Sequence, residues 1–207
     1  MKVAVVLYPG FTALDVIGPY ELLAGVPNAD IEFVAESRGP VVNDIGSLTV
    51  HATNDLDGVR DPDVVVIGGG PGYLAQTTNP RLHEWLRAVD RLSTWTTSAC
   101  TGSVILASAG LLRGRRATSH WGAVDELAGF GAVPSKDRVV VDGKYATAAG
   151  VSAGIDMALT LIGLMQGDET AQALQLLNEY APVPPYSAGS IDSVSASVVA
   201  KAEELLA

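Results

Sequence analysis

Apolar residues along this chain follow two rhythms. Short unbroken runs, at residues 3–7 and 64–67, alternate with longer stretches where apolar side chains return every three or four positions. The clearest of the latter is residues 81–92, where Leu82, Trp85, Leu86 and Val89 fall on one side of a helix. Unbroken runs of four or five apolar residues suit parallel strands covered on both faces. The pattern predicts strands at residues 3–7, 31–35, 63–67 and 94–99. Helices are predicted at 13–23, 81–92, 101–109, 153–165, 169–180 and 195–206, with Thr12 as N-cap of the first and Gly25 near its end. Residues 41–50 mix turn residues with β-prone pieces and predict a small antiparallel excursion. Residues 139–141 and 145–147 predict a hairpin around Asp142-Gly143. No repeat, low-complexity tract or linker divides the chain. The expectation is one α/β domain over residues 1–207: a doubly wound, mostly parallel sheet flanked by helices on both faces.

Composition narrows the partners. The chain is 48% apolar and 17% charged, which suits a folded protein with a substantial core. A net charge of −10 argues against nucleic acid or an anionic membrane surface as the main partner. Tryptophans and tyrosines do not interleave with basic residues, which points the same way. No run reaches the roughly 18 apolar residues of a membrane span. The N-terminus has one lysine, a short apolar run and then Tyr8-Pro9-Gly10, which reads as a first strand and not as a signal peptide. A single cysteine excludes an intramolecular disulfide and suggests a reducing compartment, so the cytoplasm is expected. No His/Cys cluster has metal-ligand spacing, and no metal or cofactor is expected.

In a sheet of this kind the site lies at the carboxyl ends of the central strands. Three loops should meet there. The third carries Cys100, where a β-branched stretch gives way to small apolar residues at helical spacing, with Thr101 or Ser103 able to cap the new helix. A helix N-terminus favours thiolate, so the position predicts a thiol pKa below its ordinary value. A buried, inert cysteine that only packs is the alternative, and position leaves both open. Asp15, on the first loop, either steadies a helix N-terminus or exchanges a proton with the thiol. Gly68-Gly-Gly-Pro-Gly72, on the second, lacks the Lys-Ser/Thr of a phosphate loop and the spacing of a dinucleotide fingerprint. It makes either a tight turn or a close backbone approach to a reacting centre. His51 and His83 read as surface or local hydrogen-bonding residues, and His120 as either a site residue or a loop-shaping one.

The motifs Tyr8-Pro-Gly-Phe11, Leu14-Asp-Val-Ile-Gly-Pro19, Val66-Ile-Gly-Gly-Gly70 and Ala99-Cys-Thr-Gly102 resemble those of the ThiJ/PfpI superfamily. The resemblance runs from the first strand to about residue 197. The segments 109–121 and 178–189 resemble its isonitrile hydratase branch more narrowly. The resemblance implies a flavodoxin-like fold, that of class I glutamine amidotransferases, and a homodimer acting on a small molecule. It implies a hydro-lyase that adds water to an isonitrile and releases an N-substituted formamide. Cys100 would be the nucleophile, passing through a thioimidate, and Asp15 the proton donor. Thr101, Gly69 and Gly70 would supply backbone donors, and Gly150 and Val151 the pocket wall. Thr101 stands where protease-like relatives have a histidine, so a Cys-His dyad is not supported. Asp15 stands where chaperone- or deglycase-type relatives usually carry glutamate. Two other readings remain: a small-molecule sensor akin to AraC-type regulators, though this chain leaves no room for a helix-turn-helix domain, and a reactive-carbonyl or oxidative-stress protein using Cys100.

Overall fold

The computed structural model describes residues 1–206. In chain order the elements are β1 (Lys2–Val6), α1 (Ala13–Ala24), β2 (Asp30–Ala35), β3 (Gly39–Val42), β4 (Thr49–Ala52), β5 (Asn54–Asp55) and β6 (Val64–Ile67). They continue with α2 (Tyr73–Gln76), α3 (Pro80–Asp90), β7 (Trp95–Ala99), α4 (Gly102–Ser108), β8 (Arg116–Ala117), α5 (Glu126–Gly129) and β9 (Val133–Pro134). The last are β10 (Val139–Asp142), β11 (Tyr145–Ala148), α6 (Ala153–Gln166), α7 (Asp168–Leu177), a 3-10 turn at Ile191–Ser193, and α8 (Ala196–Leu206). Seven strands form one sheet in the order β10-β11-β7-β6-β1-β2-β5. All neighbours are parallel except β10 and β11, which form the expected hairpin with Asp142 opposite Tyr145. β3 and β4 pair antiparallel outside that sheet, as the excursion at residues 41–50 predicts.

Burial explains the layout. Every residue of β6 is buried, as is every residue of β1 after Lys2, because helices cover both sheet faces. Leu82, Trp85, Leu86 and Val89 of α3 are all buried, so the predicted stripe is the packed one. Asn79 caps that helix by accepting from the Leu82 N–H, with Pro80 at its start. Thr12 occupies the N-cap position of α1, but its hydroxyl donates instead to Asp44 Oδ2 at 2.6 Å. His83, expected near the surface, is buried: its Nε2 lies 2.9 Å from the Gln76 carbonyl and 3.1 Å from Ser108 Oγ. The helix expected at 169–180 ends sooner, and Glu179 adopts a left-handed φ of 45°. Among the described residues, no helix is long and apolar enough to cross a membrane.

The sheet order places the site. β1 lies between β2 and β6, so the chain leaves β1 toward one side and returns on the other. The crevice at this reversal lies beyond the carboxyl ends of β1, β6 and β7. The loops there are tied together: the Thr12 N–H donates to Gly69 O at 2.8 Å and the Gly72 N–H to Gly10 O at 3.1 Å. Tyr8 OH donates to Gly68 O at 2.8 Å and fixes the glycine run from below.

Candidate active site

Cys100 is the first of the two residues between β7 and α4, with φ at +56°. A left-handed residue other than glycine is strained and persists only where its surroundings hold it. Here its N–H donates to Ala149 O at 2.9 Å, and its carbonyl accepts from Ser119 Oγ at 3.0 Å and Ser103 Oγ at 3.1 Å. The result is a cysteine held at the carboxyl end of the central strand β7, 5% exposed.

Asp15 faces it. The carboxyl is fully buried, and Oδ2 accepts from the Gly69 N–H at 3.0 Å. Oδ1 has no partner of good geometry in the protein. Burial pushes the Asp15 pKa up to about 7, against the stabilising hydrogen bonds from Cys100 and Gly69. Burial first, and then the charge of Asp15, also push the Cys100 thiol up. The expected low thiol pKa is thus corrected: desolvation and a neighbouring carboxyl outweigh the donors at the start of α4. The Thr101 N–H at the start of α4 and the Val151 N–H from the loop before α6 oppose the rise. The pair is best described as a thiol and a carboxyl that resist carrying two negative charges together.

The glycine loop shapes this pair. A Cβ on Gly69 would come within 2.5 Å of the Thr101 nitrogen, so only glycine lets the second and third loops touch. Gly70 has φ at +128°, open to glycine alone, and its N–H donates to Thr101 Oγ1 at 3.0 Å. The Gly69 and Gly70 N–H groups are therefore spent on Asp15 and Thr101, and face neither the sulfur nor the cavity. Of the three expected backbone donors only Thr101 acts on Cys100, and Val151, expected in the pocket wall, adds its N–H to it.

A cavity of about 510 Å³ opens next to the loops that carry the pair, with Asp15 and Cys100 themselves just outside its lining. Leu14, Ser119, Gly150 and Val151 line it: Leu14 precedes Asp15 in the chain, Ser119 donates to the Cys100 carbonyl, the Val151 N–H acts on the Cys100 thiol, and Gly150 lies between Ala149 and Val151. Trp121, Val124 and Ile191 add apolar surface, and Lys136, Arg138 and Asp192 add charge. Residues 189–192, from the otherwise exposed C-terminal arm, close one side. His120 lines the cavity, its Nδ1 accepts from the Gly122 N–H at 3.2 Å, and burial lowers its pKa, so the ring is neutral. His51 and His83 lie elsewhere. Sequence reasoning did not single out Thr118, Ser119, Trp121 or the arm. The motif at residues 109–121 was the available signal, but nothing local says which of its side chains turn inward. Among the described residues, no cluster of His, Cys, Asp or Glu could hold a metal ion.

Fold and site define a doubly wound α/β protein with a strained cysteine at a strand-to-helix step and a buried carboxyl against it. The chain belongs to the DJ-1/PfpI family, matching it over residues 1–164. It is 39% identical over 204 residues to an isonitrile hydratase of Pseudomonas putida, across 99% of this chain and 89% of that protein. It is also similar to a crystal structure of a ThiJ/PfpI family protein from Pseudomonas syringae, with a TM-score of 0.95, 38% identity, and coverage of 99% of this chain and 85% of that one. An HTH-type transcriptional regulator, CdhR of Pseudomonas aeruginosa, is 34% identical over 172 residues, across 80% of this chain and 51% of that protein.

Proposed function

We propose that this protein is an isonitrile hydratase, a hydro-lyase with Cys100 as nucleophile. The observation that carries the reading is the buried Cys100–Asp15 pair, set just behind the wall of a partly open cavity. Identity over nearly the full chain to an enzyme of that name supports it.

The chemistry follows from the pair. An isonitrile has an electrophilic terminal carbon that must gain both sulfur and hydrogen. As the Cys100 sulfur bonds to that carbon, the thiol proton leaves toward Asp15 and a proton passes from Asp15 to the carbon. One S–H adds across one carbon, giving a neutral thioimidate, and no ion is stranded in the buried site. A pKa near 7 lets Asp15 both accept and donate in this step. Water then adds to the thioimidate carbon. One of its hydrogens ends on nitrogen and the other on the Cys100–Asp15 pair, the C–S bond breaks, and an N-substituted formamide leaves. The Thr101 and Val151 N–H groups stabilise the sulfur as it regains charge. Thr101 Oγ1 anchors Gly70 and keeps this arrangement rigid.

The test is direct turnover. Purified protein mixed with benzyl isocyanide should yield N-benzylformamide, and Cys100→Ser should yield none. A wild-type protein that binds the isonitrile without turning it over, or that makes no product at all, defeats the reading. Binding without turnover would favour a sensor, the reading that the similarity to a regulator supports. We place the protein in the cytoplasm as a homodimer. Exposed apolar side chains at Leu176, Leu177, Val183 and Tyr186, 76 to 91% exposed, offer a surface for a second copy. Sedimentation giving a monomer at micromolar concentration would remove the dimer.

A further inference from the structure

Among the described residues, the buried side-chain oxygens that find no hydrogen-bond partner are Asp15 Oδ1, Ser98 Oγ and Thr118 Oγ1. Ser98 lies within β7 and does not line the cavity. Thr118 does line it, and is 1% exposed. The segment just past β8 that carries Thr118 is fixed. Its N–H donates to Thr147 Oγ1 at 2.9 Å, the preceding Ala117 carbonyl accepts from the Ser135 N–H at 2.8 Å, and the following Ser119 hydroxyl holds the Cys100 carbonyl at 3.0 Å. A buried hydroxyl without a partner is costly, and native structures rarely leave one so unless something outside the chain completes it. Thr118 Oγ1 finds no partner within the protein and its residue forms part of the cavity wall, so a molecule or a water seated against that wall is what can complete it.

We propose that the Thr118 hydroxyl contacts the substrate nitrogen through the reaction and so is a further catalytic residue of this site. The inference rests on the hydratase reading above and assigns one more group to it. Elimination at the site leads to the nitrogen. Sulfur and carbon are served by Asp15 and by the Thr101 and Val151 N–H groups. The nitrogen has no assigned partner, yet it changes most after the first step. In the thioimidate it carries a lone pair, and it gains electron density as water adds to carbon. In the formamide it is an N–H donor. A hydroxyl can donate to the first and accept from the second by rotating about its C–O bond, with no net loss of its own proton. Neutral His120 cannot serve both states in place, because its Nδ1 already accepts from the Gly122 N–H. The proton that ends on nitrogen is supplied by the attacking water, so the balance of the overall hydration is unchanged.

The experiment compares wild type with Thr118→Val and Thr118→Ser, using benzyl isocyanide as substrate and N-benzylformamide as product. Valine keeps the shape and removes the hydroxyl; serine keeps the hydroxyl. Thr118→Val is expected to lower kcat by about tenfold or more, the loss of one hydrogen bond made in the transition state. Mass spectrometry should then show a Cys100 adduct, heavier by one substrate, accumulating during turnover. N-benzylformamide should bind more weakly. Thr118→Ser should restore most of the rate. The melting temperature of Thr118→Val should equal or exceed that of wild type, since an unsatisfied buried hydroxyl has been removed. Should Thr118→Val not fold, Thr118→Ala supplies the same comparison. Turnover of the hydroxyl-free variant within about twofold of wild type overturns the proposal, and so does a serine variant as slow as it, which would mean packing is at stake. If wild type makes no formamide, it is the hydratase reading that has failed.

Discussion

Replacing Asp15 with asparagine exchanges a buried carboxyl for an amide of the same shape that cannot ionise. In wild type the carboxyl is fully buried and its pKa is raised from 3.8 to about 7. At about 1.36 kcal/mol for each pH unit, that rise is a penalty of ~4 kcal/mol on the folded state once the group is charged. The sign follows from where the protons sit. Between the two pKa values the folded protein holds a proton that the unfolded chain has released. Stability therefore falls as pH rises through this window, and the penalty is fully present above about pH 7. The asparagine of the variant carries no such penalty, and its side-chain oxygen still accepts from Gly69. Urea unfolding of both proteins from pH 4 to pH 8 should show their stabilities diverging by ~3–4 kcal/mol in favour of Asp15→Asn. The same substitution should cost about 10²–10⁴-fold in isonitrile turnover, the usual share of a general acid–base group. A variant more stable than wild type at pH 8 and nearly inactive would mark Asp15 as a group kept for chemistry at the expense of the fold. Parallel pH–stability curves, within about 1 kcal/mol of each other, would refute the argument by showing that the buried carboxyl is not the proton-holding group.

Other consequences are simpler to check. Cys100→Ser should fold normally and lose turnover, because a hydroxyl ionises far less readily than a thiol; formamide production near the wild-type rate would remove the covalent step. The thiol should titrate above its ordinary value of 9.0, by thiolate absorbance, because burial and Asp15 push it up; a midpoint below neutral would contradict that. Removing the Asp15 charge with Asp15→Asn should move that midpoint down. Gly69→Ala should destabilise the fold by about 1–3 kcal/mol and impair the site, since its Cβ would meet the Thr101 backbone nitrogen at 2.5 Å; chemical denaturation with an unchanged midpoint would argue against that close approach.

Much of the architecture is local and was legible in the chain. The buried strands β1, β6 and β7 are continuous β-prone runs, and α3 shows its packed face by spacing alone. The junction at Cys100 is visible because β-branched residues stop and small ones begin there. Elements of two to four residues, such as β5, α2, β8, α5 and β9, carry no periodicity, and only packing holds them. The depth of His83 was hidden for a related reason, since one side of a helix reads as exposed until a neighbour such as Ser108 covers it. The site divides along the same line. The candidate residue types, a lone cysteine, an acid in a first helical turn and a glycine run, were legible in the sequence. Distances decided the rest. Asp15 and Cys100 are far apart in the chain, and only the sheet order brings them together. Their burial, a property of everything packed around them, reversed the expected direction of the thiol pKa. The same packing turned the Gly69 and Gly70 N–H groups onto Asp15 and Thr101, and left Thr118 with an unpartnered hydroxyl beside the cavity. Residue type fixes what a group can do chemically, whereas desolvation and hydrogen-bond partners are sums over neighbours that only the folded chain assembles.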